Sequence, residues 1–168
     1  MGYQISQISP DKVNGKPVKY KQGDCLGIAC KKGKFLGALI SKKFNKYYDV
    51  TLIQFYEDRP PVIDDFVNGK FFGTRSGSWE ELTYAVNVRM MKCKYFDGNV
   101  DIQKIGTVQL ISNINKDGYK YVESIEDLLD AYMEELPIRI EKSKNAEKFP
   151  ALAFMSKHLV EMKHIIQQ

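Results

Sequence analysis

Two pairs of adjacent carboxylates come nearest to a catalytic arrangement in this sequence. Asp64-Asp65 and Glu80-Glu81 stand near the two ends of a stretch rich in glycine and serine. Two acids that face each other across a cleft can hydrolyse a glycosidic bond, and several together can hold a cation. Adjacent acids in a loop point in different directions and are more often solvated. We therefore predict no catalytic residues, and keep a hydrolase that uses Asp65 and Glu81 as an alternative.

The histidines and cysteines form no recognisable nucleophilic or metal centre. His158 and His164 are the only histidines, and on a helix of 3.6 residues per turn they would point about 240° apart. We interpret His158 as a histidine packed at the edge of the core. Cys25, Cys30 and Cys93 contain no Cys-x-x-Cys pair, which is the usual spacing of a metal site. The sequence thus predicts three buried, reduced thiols, no metal and no cofactor.

Trp79 is the only tryptophan, and acidic residues flank it. A tryptophan in a loop either anchors that loop to the core or serves as an exposed contact, and tryptophan is favoured at interface hot spots. Acidic neighbours would suit a basic partner. The predicted partner-binding residues are Asp58, Asp64, Asp65, Trp79, Glu80 and Glu81. A second candidate surface is an acidic helix that carries Glu126, Asp127, Asp130, Glu134 and Glu135.

Lysines are concentrated in the first third of the chain. Residues 1–48 carry ten Lys and two Asp, a net +8, within a total of +4. Such a region attracts nucleic acid or acidic proteins, although lysines on strands also form ordinary solvated surface. A small-barrel nucleic-acid-binding module is therefore the alternative function. Its phosphate contacts would be Lys19, Lys21, Lys31, Lys32, Lys34, Lys42, Lys43 and Lys46, with Tyr47 and Tyr48 stacking on bases.

The elements that position these residues change from β to helical periodicity late in the chain. Residues 20–56 alternate apolar runs with glycine-bearing turns, which predicts three antiparallel strands, and residues 83–93 alternate as a half-buried strand. Ser124 is a good N-cap for a helix that Pro137 would end, and Pro150 suits the start of a second helix. We expect an α+β fold: a curved antiparallel sheet or small, partly open β-barrel followed by two C-terminal helices.

Length and composition indicate one domain over residues 1–168. The expected parts are an N-terminal arm at 1–18, a β-rich core at 19–123 and a helical part at 124–168. Residues 62–81 show no regular pattern and are predicted to form a long functional loop or to hide short strands. No apolar stretch approaches the roughly 20 residues that span a bilayer, and no signal peptide is visible. With its unpaired cysteines the chain is predicted to be cytoplasmic, with no membrane partner.

A short motif in the first strands resembles a family of bacterial immunity proteins. Its residues are Tyr20-Lys-Gln-Gly-Asp-Cys-Leu-Gly-Ile28 and Gly33-Lys-Phe-Leu-Gly37, followed by an aromatic third strand at 47–56. They resemble the family numbered 26 among the immunity proteins of polymorphic toxin systems. The resemblance covers residues 19–57. It implies a small β-rich domain that is encoded beside a toxin and neutralises it by binding in the producing cell, without catalytic residues.

These observations favour a binding protein over an enzyme. The partner that the resemblance implies is a cognate toxin domain. Toxins that attack nucleic acid are usually basic near their active site, because they must attract phosphate. An inhibitor of such a toxin would present acids and aromatic rings. The oligomeric state stays open.

Overall fold

A large mixed β-sheet with one long helix packed against it makes up the structure. The computed structural model describes residues 3–5, 12–13, 16–17, 19–78, 81–148 and 156–167. The described strands are β1 (Tyr3–Ile5), β2 (Lys12–Val13), β3 (Lys16–Pro17), β4 (Asp24–Ala29), β5 (Phe35–Phe44), β6 (Tyr47–Glu57), β7 (Lys70–Ser78), β8 (Glu81–Lys92), β9 (Ile102–Val108), β10 (Asn115–Tyr121) and β11 (Ser156–Glu161). The helices are α1 (Ile63–Val67), α2 (Cys93–Phe96) and α3 (Ile125–Lys148), with 3₁₀ turns at Lys31–Gly33 and Met162–His164.

The strands of the main sheet follow the order β1-β9-β4-β5-β6-β7-β8-β10, and β11 pairs with the remaining edge of β7. Strand β8 is shared, because residues 81–86 pair with β7 and residues 89–92 pair with β6. Register shifts in the β4–β9 and β5–β6 pairs bend the sheet. The sheet is open, since β1 and β10 end it without pairing to each other. The predicted α+β class with a curved, partly open sheet is confirmed.

One pairing departs from the predicted antiparallel pattern. Strand β10 runs parallel to β8, with Asn115 opposite Ala85 and Tyr121 opposite Met90. The connection between them passes through α2 and β9, and a crossover of this length can bring a strand back in the same direction. The sheet is therefore mixed.

Both faces of the sheet are buried. Leu39 and Phe71 belong to one apolar cluster, which the C-terminal residues after β11 help to close. Ile40 and Phe72 belong to a second cluster, which includes Leu128 of α3. Neighbouring residues along a strand point to opposite faces, so each central strand contributes to both clusters. This explains why residues 36–41 of β5 and 48–53 of β6 are all buried, with no alternation between buried and exposed positions.

Helix α3 extends beyond the predicted end at Pro137. It spans 24 residues, and Pro137 lies inside it. A proline in a helix interior removes one hydrogen bond and costs about 3 kcal/mol. Three buried residues after the proline, Arg139, Ser143 and Ala146, attach the second half of the helix to the sheet. This tertiary packing offsets the cost, so the predicted stop is wrong.

The predicted second C-terminal helix is also wrong over its described part. Residues 156–161 form β11, which pairs antiparallel with β7, and a 3₁₀ turn follows. Leu159 and Val160 enter opposite apolar clusters. A strand that is buried on both faces shows no period of two, and its apolar residues can imitate a helical stripe. The predicted helix start at Pro150 lies outside the described residues.

The segment predicted as a long loop contains regular structure. Residues 63–67 form α1 and residues 70–78 form β7. The last three residues of β7 are Ser76, Gly77 and Ser78. They lack the alternating apolar side chains that indicate a strand. Within the described residues, no helix is both long and apolar enough to cross a bilayer.

Candidate binding surfaces

The acidic residues predicted to bind a partner fall into two separate places. Asp58, Asp64 and Asp65 lie at the connection from β6 through α1. Glu81 begins β8, opposite the last residue of β7. Because β7 has nine residues, at about 3.3 Å per residue the two places are about 25 Å apart. Trp79 and Glu80 lie outside the described residues.

This separation removes the paired-carboxylate alternative. Hydrolysis by two acids needs carboxyl groups roughly 5–10 Å apart. Asp65 and Glu81 are at opposite ends of β7, so they do not face one cleft.

The Asp65 carboxylate is already hydrogen-bonded to other residues of the chain. It accepts hydrogen bonds from Arg59 Nη1 at 2.8 Å, from Arg59 Nη2 at 3.1 Å and from the Val62 backbone N–H at 2.8 Å. The Arg59 hydrogen bonds hold the pKa of Asp65 below its usual value. Asp65 therefore caps the start of α1, whereas Asp58 and Asp64 remain exposed.

The second predicted surface, the acidic helix, lines a cleft between β10 and α3. The cleft has a volume of about 690 Å³. Asn87 and Arg89 of β8 and residues 117–122 contribute to it. Four of the five predicted acids line it: Asp127, Asp130, Glu134 and Glu135. The fifth, Glu126, forms an exposed ion pair with Lys31, with 2.9 Å between the carboxylate oxygen and the ammonium nitrogen.

Arg139 fixes the position of α3 beside this cleft. The residue is only 1% exposed. Its Nη1 donates to the backbone carbonyls of Gly73 at 3.1 Å and His158 at 3.0 Å, which are paired residues of β7 and β11. Its guanidinium lies 4.7 Å from the centre of the Phe72 ring. Burial lowers the pKa of Arg139, and Glu135 opposes that effect.

Glu135 joins the helix to the sheet through two arginines. It accepts from Arg139 Nη2 at 3.3 Å and from Arg89 Nη2. Arg89 also donates from Nη1 to the side-chain oxygen of Asn87 at 3.0 Å. Glu135 is therefore structural, although sequence patterning predicts it to contact a partner.

The remaining acids of the cleft differ in whether their carboxylates already form hydrogen bonds within the chain. Asp127 accepts a hydrogen bond from the Glu123 backbone N–H at 3.0 Å, which caps α3. Asp130 and Glu134 are exposed, and neither forms a hydrogen bond or ion pair with another part of the chain that the structure describes. These two carboxylates are the ones available to a partner.

A row of aromatic rings lies beside the cleft and is called the aromatic strip: Phe44, Tyr47, Tyr121 and Tyr119. The ring centres along this row are 6.4, 5.6 and 5.6 Å apart. Phe44 is 36% exposed, Tyr119 58% and Tyr121 57%. The strip crosses the sheet because Tyr47 and Tyr121 both lie beside β8, on opposite edges. Rings in mutual contact keep their orientation while remaining open to solvent.

Lysines surround the aromatic strip. Lys116 Nζ lies 5.4 Å from the centre of the Phe44 ring and 5.3 Å from that of Tyr119. It also pairs with the buried Asp49 at 3.0 Å. Lys42 Nζ lies 6.0 Å from the Phe44 ring centre. Ammonium groups over ring faces are attracted by the π electrons.

The structure divides the basic surface predicted from the first third of the chain. The lysines of residues 31–34 lie at one end of β5, and those of residues 42–46 lie at its other end, ten residues away. Tyr48 is buried, donates its hydroxyl hydrogen to Asp97 and accepts from the Tyr20 backbone N–H at 2.9 Å. Tyr48 is therefore not able to stack on a base, so that part of the prediction is wrong. Tyr47 does belong to the aromatic strip.

Sequence patterning missed the β10 contribution to this surface. Tyr119 and Tyr121 are two positions apart, which places them on one face of a strand. That signal was visible, but nothing local connects them to Phe44 and Tyr47. The order β6-β8-β10 over residues 47–50, 89–92 and 115–121 brings them together.

The motif that carries the family resemblance is structural. Gly23 has a φ of +94°, and a Cβ there would overlap the Val108 carbonyl oxygen. Asp24 is buried and accepts hydrogen bonds from Thr107 Oγ1 at 2.8 Å and from the Lys21 backbone N–H at 2.9 Å. The Gly-Asp pair thus joins β4 to β9.

His158 and His164 line one recess of about 290 Å³, and none of the three cysteines lines it. His158 is buried on β11, as a packed histidine, and its carbonyl accepts from Arg139. His164 stacks on Tyr84 with 4.0 Å between ring centres. Burial raises the pKa of all three thiols. In the described ranges, no group of three His, Cys, Asp or Glu residues could hold a metal ion.

Comparison with known proteins gives no relative for this chain. No family model, no curated protein and no solved structure matches it. The resemblance over residues 19–57 stays a prediction. The cleft and the aromatic strip, the two surfaces beside β10, are therefore the features that indicate a function.

Proposed function

We propose that this chain is an immunity protein that binds and neutralises a cognate toxin domain in the producing bacterial cell. The observation that carries the proposal is the acidic cleft between β10 and α3. Asp130 and Glu134 lie open on the α3 wall of this cleft, which measures about 690 Å³. The resemblance of residues 19–57 to immunity proteins supports the same conclusion.

The cleft is fixed before a partner arrives. Arg139 ties α3 to β7 and β11, and Glu135 ties it to Arg89 of β8. A surface whose shape is already set loses less conformational freedom when it binds, which leaves more of the contact energy as affinity. Such rigidity suits an inhibitor that must hold its target tightly.

The five acids that line the cleft outnumber its three bases, Arg89, Lys120 and Lys157, and this excess favours a basic partner. A toxin that attacks nucleic acid needs lysines or arginines where it binds phosphate. A basic segment of that kind can enter between Asp130 and Glu134, and close charge pairs across interfaces contribute about 1.5–7 kcal/mol in favourable cases. Tyr119 and Tyr121 lie next to these acids and can cover the aliphatic stems of the incoming side chains. A typical specific interface would bury about 800 Å² of this protein.

Co-expression tests the proposal in cells. A toxin domain, sought in the genes that neighbour this one, is expressed alone, with the wild-type chain, and with the double variant Asp130→Asn/Glu134→Gln. The wild-type chain is expected to restore growth. The double variant is expected to restore it weakly or not at all, because the charge of the cleft is removed without a change in side-chain size.

A matched control is available on the same helix. Glu126 and Glu141 are exposed, outside the cleft, and paired with Lys31 and Lys144. The variant Glu126→Gln/Glu141→Gln removes the same amount of charge and should protect as well as the wild type. Continued growth arrest with the wild-type chain would contradict the proposed function, and equal protection by both double variants would contradict the role of the cleft.

A further inference from the structure

A smaller recess lies beside the aromatic strip. Its volume is about 250 Å³. Three tyrosines line it, together with one lysine and one glutamate whose side chains are exposed. Its lining residues are Tyr47, Lys92, Tyr95, Tyr121, Val122 and Glu123. A recess lined by flat rings and bordered by one cation suits a flat ligand that carries negative charge.

We propose that this recess and the aromatic strip bind single-stranded nucleic acid, with one base in the recess and its neighbours on the strip. This binding activity goes beyond the proposed inhibition of a toxin and does not depend on it. The recess and the strip share Tyr47 and Tyr121, so they form one continuous surface.

The exposed rings offer stacking surfaces to bases. Four rings stand in a row with centres 5.6–6.4 Å apart; Phe44 stacks with Tyr47, whereas Tyr121 meets Tyr47 and Tyr119 edge to face. Three of them, Phe44, Tyr119 and Tyr121, are at least one-third exposed. In single-strand binding proteins the bases stack on exposed aromatic rings, and the smallest such sites cover about four nucleotides. Bases in a duplex are already stacked on each other, so this surface favours unpaired strands.

Lysines near the rings can contact the phosphates. Lys42 lies over the Phe44 ring, whereas Lys116 is already paired with Asp49. Lys92 pairs across the sheet with Tyr47 and lines the recess. The Glu123 carboxylate, which also lines the recess, can accept a hydrogen bond from the amino group of cytosine, adenine or guanine. The polar groups therefore match a nucleotide at both its base and its phosphate.

An acidic protein segment fits this surface less well. Its carboxylates would pair with the lysines, but most of its side chains would leave the tyrosine-lined recess unfilled. The neighbouring cleft sets a limit on the path of a strand, because Asp130 and Glu134 repel phosphate. Because Tyr119 and Tyr121 also line the cleft, a bound strand is expected to leave the recess towards Phe44, away from these acids.

Fluorescence anisotropy with the full chain and a labelled oligo(dC) of about 12 nucleotides tests the proposal. Binding is expected at about 50 mM salt, and engagement of Lys42 and Lys92 predicts roughly sevenfold weaker binding at about 200 mM salt. Tyr121→Ala should weaken binding about tenfold, because one stacking contact is lost. The side chain is more than half exposed, so the fold should persist, and circular dichroism checks this.

Two lysine variants separate this site from general attraction between opposite charges. Lys42→Ala/Lys92→Ala should weaken binding, whereas Lys31→Ala/Lys32→Ala, at the other end of β5, should leave it unchanged. Absence of binding at low salt would overturn the proposal, as would equal losses in the two double variants. A polyglutamate peptide is added as a competitor. If it displaces the oligonucleotide efficiently and Tyr121→Ala has no effect on binding, the surface binds an acidic protein instead.

Discussion

Arg139 reaches from α3 to two strands at once. Its Nη1 satisfies the carbonyls of Gly73 and His158, and its Nη2 pairs with Glu135. Buried carbonyls and a partly buried carboxylate lose their partners if this side chain is shortened. The shape of the acidic cleft therefore depends on a residue that does not line it.

Replacement of Arg139 by alanine should lower the free energy of unfolding by about 3 kcal/mol, because several buried polar groups lose hydrogen bonds. Urea denaturation monitored by circular dichroism measures this change. Lys144→Ala, exposed on the same helix, should stay within about 0.5 kcal/mol of the wild type. A similar small effect for Arg139→Ala would show that α3 is held in another way.

His164 makes stability depend on pH. Burial against Tyr84 lowers its pKa, a change opposed by Glu161 and supported by Lys163 and Arg75. The unfolded chain therefore takes up a proton more readily than the folded protein. Stability falls as pH drops from about 7 through the unfolded pKa of about 6.5 towards the lower folded pKa.

The free energy of unfolding of the wild type should decrease more between pH 7 and pH 5 than that of His164→Gln. This window, roughly pH 5 to 7, lies above the titration of ordinary carboxylates. Urea titrations at the two pH values give the comparison. Equal decreases in both proteins would show that His164 has the same pKa in the folded and unfolded states.

Strand β11 replaces part of the second C-terminal helix that the sequence predicts. In a helix with the apolar stripe of Leu159 and Met162, Val160 would face solvent. In β11 it is buried at 3% exposure in the apolar cluster that contains Leu39 and Phe71. The two alternatives therefore assign opposite environments to one side chain.

Val160→Ala should cost about 2 kcal/mol of unfolding free energy, because buried methyl groups are lost and a small cavity remains. The same substitution at a solvent-facing helix position would cost under about 0.5 kcal/mol. Thermal or urea unfolding distinguishes these values. A change within error of zero would contradict the strand pairing with β7.

Local patterns predicted only part of the elements. Strands β4, β5 and β6 form as predicted because glycine-bearing turns separate dense apolar runs, and α3 begins after Ser124, whose hydroxyl accepts from the Asp127 N–H at 3.1 Å. The prediction of a second helix was wrong, because pairing with β7 makes residues 156–161 a strand. The aromatic strip was missed for a similar reason: Tyr47 and Tyr121 meet only through the strand order of the whole sheet.

At the scale of the whole molecule, charge is separated on the two sides of β10. The net charge of +4 hides an acidic cleft beside α3 and a lysine-bordered aromatic strip beside β5 and β6. The proposed basic protein partner and the proposed single-stranded nucleic acid are thus directed to adjoining surfaces that share Tyr119 and Tyr121. The sheet, buried on both faces, holds these surfaces in a fixed relation.

Hydrogen–deuterium exchange of the chain, alone and with the toxin domain that we propose as its partner, tests the central claim most directly. The account predicts slower exchange on binding in residues 115–122 and 125–135, the two walls of the cleft, and little change in residues 58–68. Slower exchange in residues 58–68 or 81–84, with the cleft unchanged, would contradict it.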